Sequence, residues 1–150
     1  MIEARHTIRI ARPSRDLVAA ERFYVEGLGL SVLSKTAGGS QEDHDLLIVG
    51  PPDGRWHLEL TTARQAAVKP SPTPEDLFVI YLEVTVSEET VTQAVAHGGS
   101  VVPPHNSYWA VGGVTITDPD GYRVVLTERR WGPNTLLCAE AGLNQPLMTG

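Results

Sequence analysis

TIRIARPSRDLVAAERFYVEGLGLSVL, residues 7–33, and VIYLEVTVSEETVTQAVAHGGSVV, residues 79–102, follow one plan: strand, helix, glycine stop, strand. In the first copy Ile8 and Ile10 alternate with Thr7, Arg9 and Ala11, the period of a strand with one buried face. Pro13 ends that strand, and Ser14 is the N-cap candidate, its hydroxyl able to accept an orphan helix N–H. Leu17, Ala20 and Tyr24 then recur at helical spacing with Phe23 beside them, and Gly27 occupies the expected left-handed stop. In the second copy Leu82, Val84 and Val86 alternate with Tyr81, Glu83 and Thr85. Ser87 is the cap candidate, with Glu88 and Glu89 in the first turn, where the helix dipole favours acids. Val91, Ala94 and Val95 supply the apolar stripe, and His97 with Gly98-Gly99 closes the helix.

The repeat continues. LLIVGPPDGRWHLEL (46–60) and VTITDPDGYRVVL (114–126) each place a Pro-Asp-Gly turn between two strands. Proline presets φ, and glycine accepts the positive φ the turn needs. Each module therefore reads βαβββ, an α+β class. Module one spans about 6–65, the proline-rich linker 66–76, and module two about 77–130. Residues 131–150 lack periodicity and are expected to form a tail that packs loosely or lies over a partner.

Composition narrows the function classes. The formal net charge is −6, and Arg129-Arg130 is the only adjacent basic pair, so the basic stripe of a nucleic-acid binder is missing. Cys138 stands alone, which precludes an intrachain disulfide and a cysteine-rich zinc site. Apolar runs are too short to span a membrane, and MIEARHTIRI lacks a signal-peptide core; the expectation is a cytoplasmic protein. No phosphate loop, GxGxxG opening or GxSxG elbow is present.

Asp16-Leu17, Phe23-Tyr24, Gly27-Leu28-Gly29-Leu30 and Asp118-Pro119-Asp120-Gly121, set in paired βαβββ modules, resemble the vicinal oxygen chelate superfamily. That superfamily includes glyoxalase I, bleomycin-resistance proteins and extradiol dioxygenases. The resemblance covers about residues 6–128. It implies a curved mixed sheet around a cup, helices outside, and a tendency to form homodimers. It also implies four metal-ligand positions in the metal-dependent members, one on the first and one on the last strand of each module.

Strand parity assigns those positions. With Ile8 and Ile10 on the helix side, Arg9 faces the cup; His6 shares the isoleucine parity and reads as a surface histidine. With Leu58 and Leu60 in the core, His57 and Glu59 face the cup. Tyr81 falls on the first strand of module two, and aligning Leu126 with Leu60 sets Val125 opposite Glu59 and Arg123 opposite His57. The set becomes Arg9, Glu59, Tyr81 and Val125. Arginine stays protonated and valine has no lone pair, so no resident metal is expected.

The cup inventory is Arg9, His57, Glu59, Tyr81, Glu83 and Arg123. Arg9 with Glu59 reads either as an internal ion pair or as a pair that meets a polar ligand. His57 reads as a structural histidine or, with Glu59, as an acid–base candidate. The segment PPHNSYWAVGG (103–113) groups His105, Asn106, Tyr108 and Trp109, suited to sandwiching a planar or cationic ligand or to covering the core. Residues 35–45, with His44, form a candidate lid. The leading expectation is a metal-independent small-molecule-binding protein of the bleomycin-resistance type. Its ligand-binding residues are Arg9, His57, Glu59, Tyr81, Glu83, Asn106, Tyr108, Trp109 and Arg123. The alternative is a lyase, isomerase or dioxygenase of the same superfamily working through His57 and Glu59, either with a non-standard metal or as metal-free acid–base groups. A third reading is a subunit whose own side chains close the cup.

Overall fold

The computed structural model describes residues 1–36, 44–63 and 68–132. Two four-stranded mixed sheets hold the architecture, in the orders β1-β4-β3-β2 and β5-β8-β7-β6. The first is built from β1 (Ile8–Pro13), β2 (Ser31–Thr36), β3 (His44–Gly50) and β4 (Trp56–Ala63). The second uses β5 (Leu77–Tyr81), β6 (Ser100–Val102), β7 (Gly113–Thr117) and β8 (Arg123–Thr127). In both, the first strand pairs parallel with the last, and the three strands after the helix run antiparallel. The two βαβββ modules read from the sequence are the two sheets. Residues 37–43 of the candidate lid, residues 64–67 at the junction of module one and the linker, and residues 133–150 of the tail lie outside the described residues.

The helix of module one begins as α1 (Leu17–Glu21) and widens into a π-helical turn over Arg22–Gly27. Asp16, not Ser14, is its N-cap: the carboxylate accepts from the Val18 and Ala19 N–H groups, while Ser14 Oγ accepts from the Asp16 N–H. A carboxylate at this place also meets the positive end of the helix. The left-handed residue after the helix is Gly29, φ 76°, not Gly27. The π turn adds length before the stop, and Gly27 instead serves close packing: a Cβ there would lie 3.2 Å from Ala94 Cα. In module two, Ser87 caps α2 (Glu88–Ala96) as expected, accepting from the Thr90 N–H. Of its stripe, Ala94 is buried but Val95 is exposed.

One apolar core joins the modules. Phe23, Tyr24, Leu47, Val49, Leu58 and Leu60 pack in the same cluster as Ala94, Ile116, Val124 and Leu126. Trp56 meets Phe78 edge to face at 5.2 Å between centroids. A polar clasp accompanies it. Tyr24 Oη donates to Asp118 Oδ2 at 2.7 Å, and the Arg15 N–H donates to Asp120 Oδ1 at 2.9 Å. The Arg12 guanidinium lies over the Tyr122 ring. The Phe-Tyr and Asp-Pro-Asp-Gly signatures thus touch each other and lock one module to the other.

β1 departs from expectation. Ile8 and Ile10 share a sheet face with their register partners Trp56 and Leu58, yet remain 57% and 45% exposed. The helix covers β3 and β4, and β1 is an outer strand, so its apolar side chains overhang the core. The strand predicted around Leu82–Val86 is also shorter. β5 ends at Tyr81, and Glu83 adopts φ 59°, turning the chain out of the sheet.

Candidate functional site

Parity sorts the outward faces of the two sheets. On the first, Arg9 pairs in register with His57, and Glu59 follows two residues on, so all three rise from the face opposite Leu58 and Leu60. They form one network. Arg9 Nε donates to His57 Nε2 at 2.8 Å, and Arg9 Nη1 donates to Glu59 Oε2 at 2.7 Å. His57 accepts through Nε2, so its proton sits on Nδ1. The Glu59 side chain is 15% exposed and that of Arg9 53%, so the pair lies at a partly exposed sheet face and not in the core.

On the second sheet the face opposite Val124 and Leu126 carries Tyr81, Arg123, Val125, Thr127, Thr115 and Thr117, of which Thr115, Val125 and Thr127 are buried. Tyr81 meets Trp109 at 6.3 Å, and Trp109 meets Tyr108 at 4.7 Å, both edge to face. The Arg129 guanidinium stacks 4.2 Å from the centre of the Tyr108 ring. A 3₁₀ turn, Ser107–Ala110, presents the two aromatics, and the Asn106 side chain caps it by accepting from the Tyr108 N–H. Burial raises the Tyr81 hydroxyl pKa, the neighbouring Tyr108 adds to this, and Arg129 draws it back. Thr115 Oγ1, Arg123 Nη1 and Arg129 Nε are buried atoms without a hydrogen-bond partner.

The expected site residues therefore fall into two groups. Arg9, His57 and Glu59 come together on the first sheet; Tyr81, Tyr108, Trp109 and Arg123 belong to the second. Among the described residues no hydrogen bond, ion pair or ring contact joins the two groups. Asn106 has its oxygen engaged in the cap. Glu83, expected on the strand beside Tyr81, has left the sheet and lies 3.6 Å from Arg130. His6 is exposed and accepts from the Glu3 N–H. His105 lies 2.6 Å from Glu75, and His44 opens β3 at an exposed position. Arg129 and Thr115 were missed by the sequence reading. The signal for Arg129 was available: it continues the parity of Arg123, Val125 and Thr127 past the last strand residue.

The donor set does not suit a divalent cation. A permanent cation occupies the lone pair of His57 Nε2 and one oxygen of Glu59. Val125 and Tyr81 face the same side of the second sheet, and among the described residues no three His, Cys, Asp or Glu side chains converge. Zinc sites take at least three protein donors.

Two family models match the chain: a YycE-like N-terminal domain over residues 8–61 and a YycE-like C-terminal domain over residues 75–128. The Uncharacterized protein YycE of Bacillus subtilis (strain 168) is 39% identical over 119 residues, 79% of this chain and 84% of that protein. A crystal structure of a Bacillus subtilis YycE protein superposes with a TM-score of 0.73 at 34% identity, covering 86% of this chain and 93% of that one. Glyoxalase I of Leishmania major shares the fold at a TM-score of 0.62 and 23% identity, over 93% and 95% of the two chains. TnmS3, an antibiotic binding protein from a Streptomyces species, does so at 0.57 and 22%, over 85% and 98%. By sequence match and by architecture together, this chain belongs to the YycE-like family, within the vicinal oxygen chelate superfamily.

Proposed function

We propose that the protein binds a small molecule without a resident metal and without turnover. The observation that carries this reading is the Arg9 guanidinium bonded at once to His57 Nε2 and Glu59 Oε2. The imidazole lone pair that would take a metal or a substrate proton is already engaged by a group that does not deprotonate. The same contact holds Arg9 in place and leaves its Nη2 hydrogens for a ligand oxygen. The aromatic steps of Tyr81, Trp109 and Tyr108 on the second sheet supply flat apolar surface for the rest of the molecule. That a protein of this fold, TnmS3, is an antibiotic binding protein fits the reading.

The working unit on this proposal is a homodimer. β1 and β5 are the outer strands of their sheets, and β1 carries Ile8 and Ile10 exposed. An open strand edge with apolar side chains is a natural place for another chain, and a second copy would bring further outward-face residues to the ligand.

Two measurements test the function. Elemental analysis of the purified protein is expected to show no stoichiometric divalent metal; one equivalent would overturn the reading. Trp109→Ala is expected to weaken binding of an aromatic ligand by about 1–3 kcal/mol, measured by calorimetry. Unchanged affinity would return Trp109 to a purely structural role.

A further inference from the structure

The two turns share Pro-Asp-Gly but not their surroundings. Each closes with a glycine N–H donating back at 3.0 Å, Gly54 to the Pro51 carbonyl and Gly121 to that of Asp118. Asp120 is 4% exposed, and its carboxylate accepts from the Arg15 N–H inside the clasp. Tyr122, just beyond that turn, is buried too. Asp53 is exposed, and among the described residues no hydrogen bond or ion pair holds its carboxylate. The residue after it cannot carry a side chain, because a Cβ on Gly54 would run into Pro51 Cγ. A free carboxyl thus stands beside a glycine amide that no side chain shields. The turn lies at the surface between β3 and β4, where local opening costs little.

We infer that Asp53-Gly54 is a site of spontaneous isoaspartate formation, and that the clasp protects Asp120-Gly121 from the same reaction. The Gly54 nitrogen attacks the side-chain carboxyl carbon of Asp53. A C–N bond forms, and the carboxyl hydroxyl leaves with the amide proton as water. The cyclic imide then takes up one water. Hydrolysis at the side-chain carbonyl restores aspartate. Hydrolysis at the main-chain carbonyl breaks the original peptide bond and leaves the chain running through Cγ, one carbon longer. No oxidant or cofactor enters. At Asp120 the carboxylate and the following amide cannot reorient unless the contact between modules opens.

The altered turn feeds the Arg9 network. The Arg55 carbonyl accepts from the Ile8 N–H at 2.7 Å and ties β1 to β4. A Cβ on Gly50 would lie 3.1 Å from His57 Cβ, so the start of the turn packs closely on that residue. A longer main chain between Gly50 and Trp56 shifts His57 and loosens its 2.8 Å bond from Arg9 Nε. The inference is independent of what the protein binds.

The test incubates the full-length protein near neutral pH at physiological temperature, native and in guanidinium chloride. Methyl transfer from S-adenosylmethionine by an isoaspartyl methyltransferase counts the product. Electron-transfer fragmentation of tryptic peptide 36–55 and of the peptide ending at Arg123 places it. In the native protein Asp53 is expected to isomerise at least about tenfold faster than Asp120, and in the unfolded chain the two rates should converge. Asp53→Glu, whose longer side chain closes the ring far more slowly, should remove most methyl acceptance by the native protein, with circular dichroism confirming the fold. Equal native rates, or a faster rate at Asp120, would overturn the protection by the clasp. The same gap in the unfolded chain would trace it to neighbouring residues and overturn the structural assignment. Absence of isoaspartate at Asp53 in the native protein would overturn the site itself.

Discussion

Arg9 decides what the first sheet can do. A guanidinium at this place fills the role of counter-charge for Glu59 and fixes the tautomer of His57 in one arrangement. Replacing it by a lone-pair donor should reverse that logic. Arg9→His sets an imidazole beside His57 in register, with Glu59 two residues along. Three donors then rise from one sheet face, the minimum for an open zinc site. Elemental analysis of R9H after incubation with zinc should show near-stoichiometric uptake, against none in the parent protein. Asp118 is the second informative residue. Burial pushes its carboxyl above the usual carboxylate range, nearby Asp120 adds to this, and the Tyr24 hydroxyl and the Tyr122 and Asp120 N–H groups oppose it. A carboxyl whose folded pKa is raised stabilises the fold fully below its unfolded value near 3.8 and loses that contribution as pH rises through the folded value. Asp118→Asn removes the titration. The stability of the parent relative to D118N should therefore be greatest in acid and fall toward neutral pH, as read by urea unfolding at a series of pH values.

Among the elements, the turn between α2 and the strand after it meets the first module closely at Gly99. A Cβ on Gly99 would lie 2.6 Å from Phe23 Cε2, 2.8 Å from the Ala94 carbonyl oxygen and 2.8 Å from Ile116 Cγ2. Two of these neighbours are rigid side chains of the shared core and the third is backbone. Gly99→Ala should cost about 1–3 kcal/mol through overpacking, seen as a lower urea midpoint with little change in slope. The helix boundaries carry a related lesson. Ser14 and Gly27 have the right residue types for cap and stop, but Asp16 and Gly29 hold those roles. A π-helical turn adds room that a regular 3.6-residue period does not anticipate. β5 stops short of its apparent alternation because Glu83 turns left-handed, which no residue type at that position announces.

At the scale of the molecule, the modules share a core, while β1 keeps an open edge. If a second copy covers that edge, Ile10→Glu should leave a folded monomer. Burying Ile10 once from each copy would make the variant dimer roughly a hundredfold weaker. Sedimentation at matched concentration, with circular dichroism to confirm folding, reads the outcome. A parent protein that sediments as a monomer would remove the dimer from the proposal.

The sequence alone determined the paired βαβββ plan, the outward parity of Arg9, His57, Glu59, Tyr81 and Arg123, and the family resemblance. These follow from local rules: side chains alternate along strands, helices repeat every few residues, and Pro-Asp-Gly turns the chain. Tertiary structure decided the rest. It turned the Phe-Tyr and Asp-Pro-Asp-Gly signatures into a clasp, through the contact of Tyr24 with Asp118. It left Ile8 and Ile10 uncovered, spent the Asn106 oxygen on a cap, and left Arg123 Nη1 and Thr115 Oγ1 buried without a hydrogen-bond partner. Each of these depends on which surfaces meet across long stretches of chain, and a periodicity that specifies which way a side chain faces does not specify what waits there.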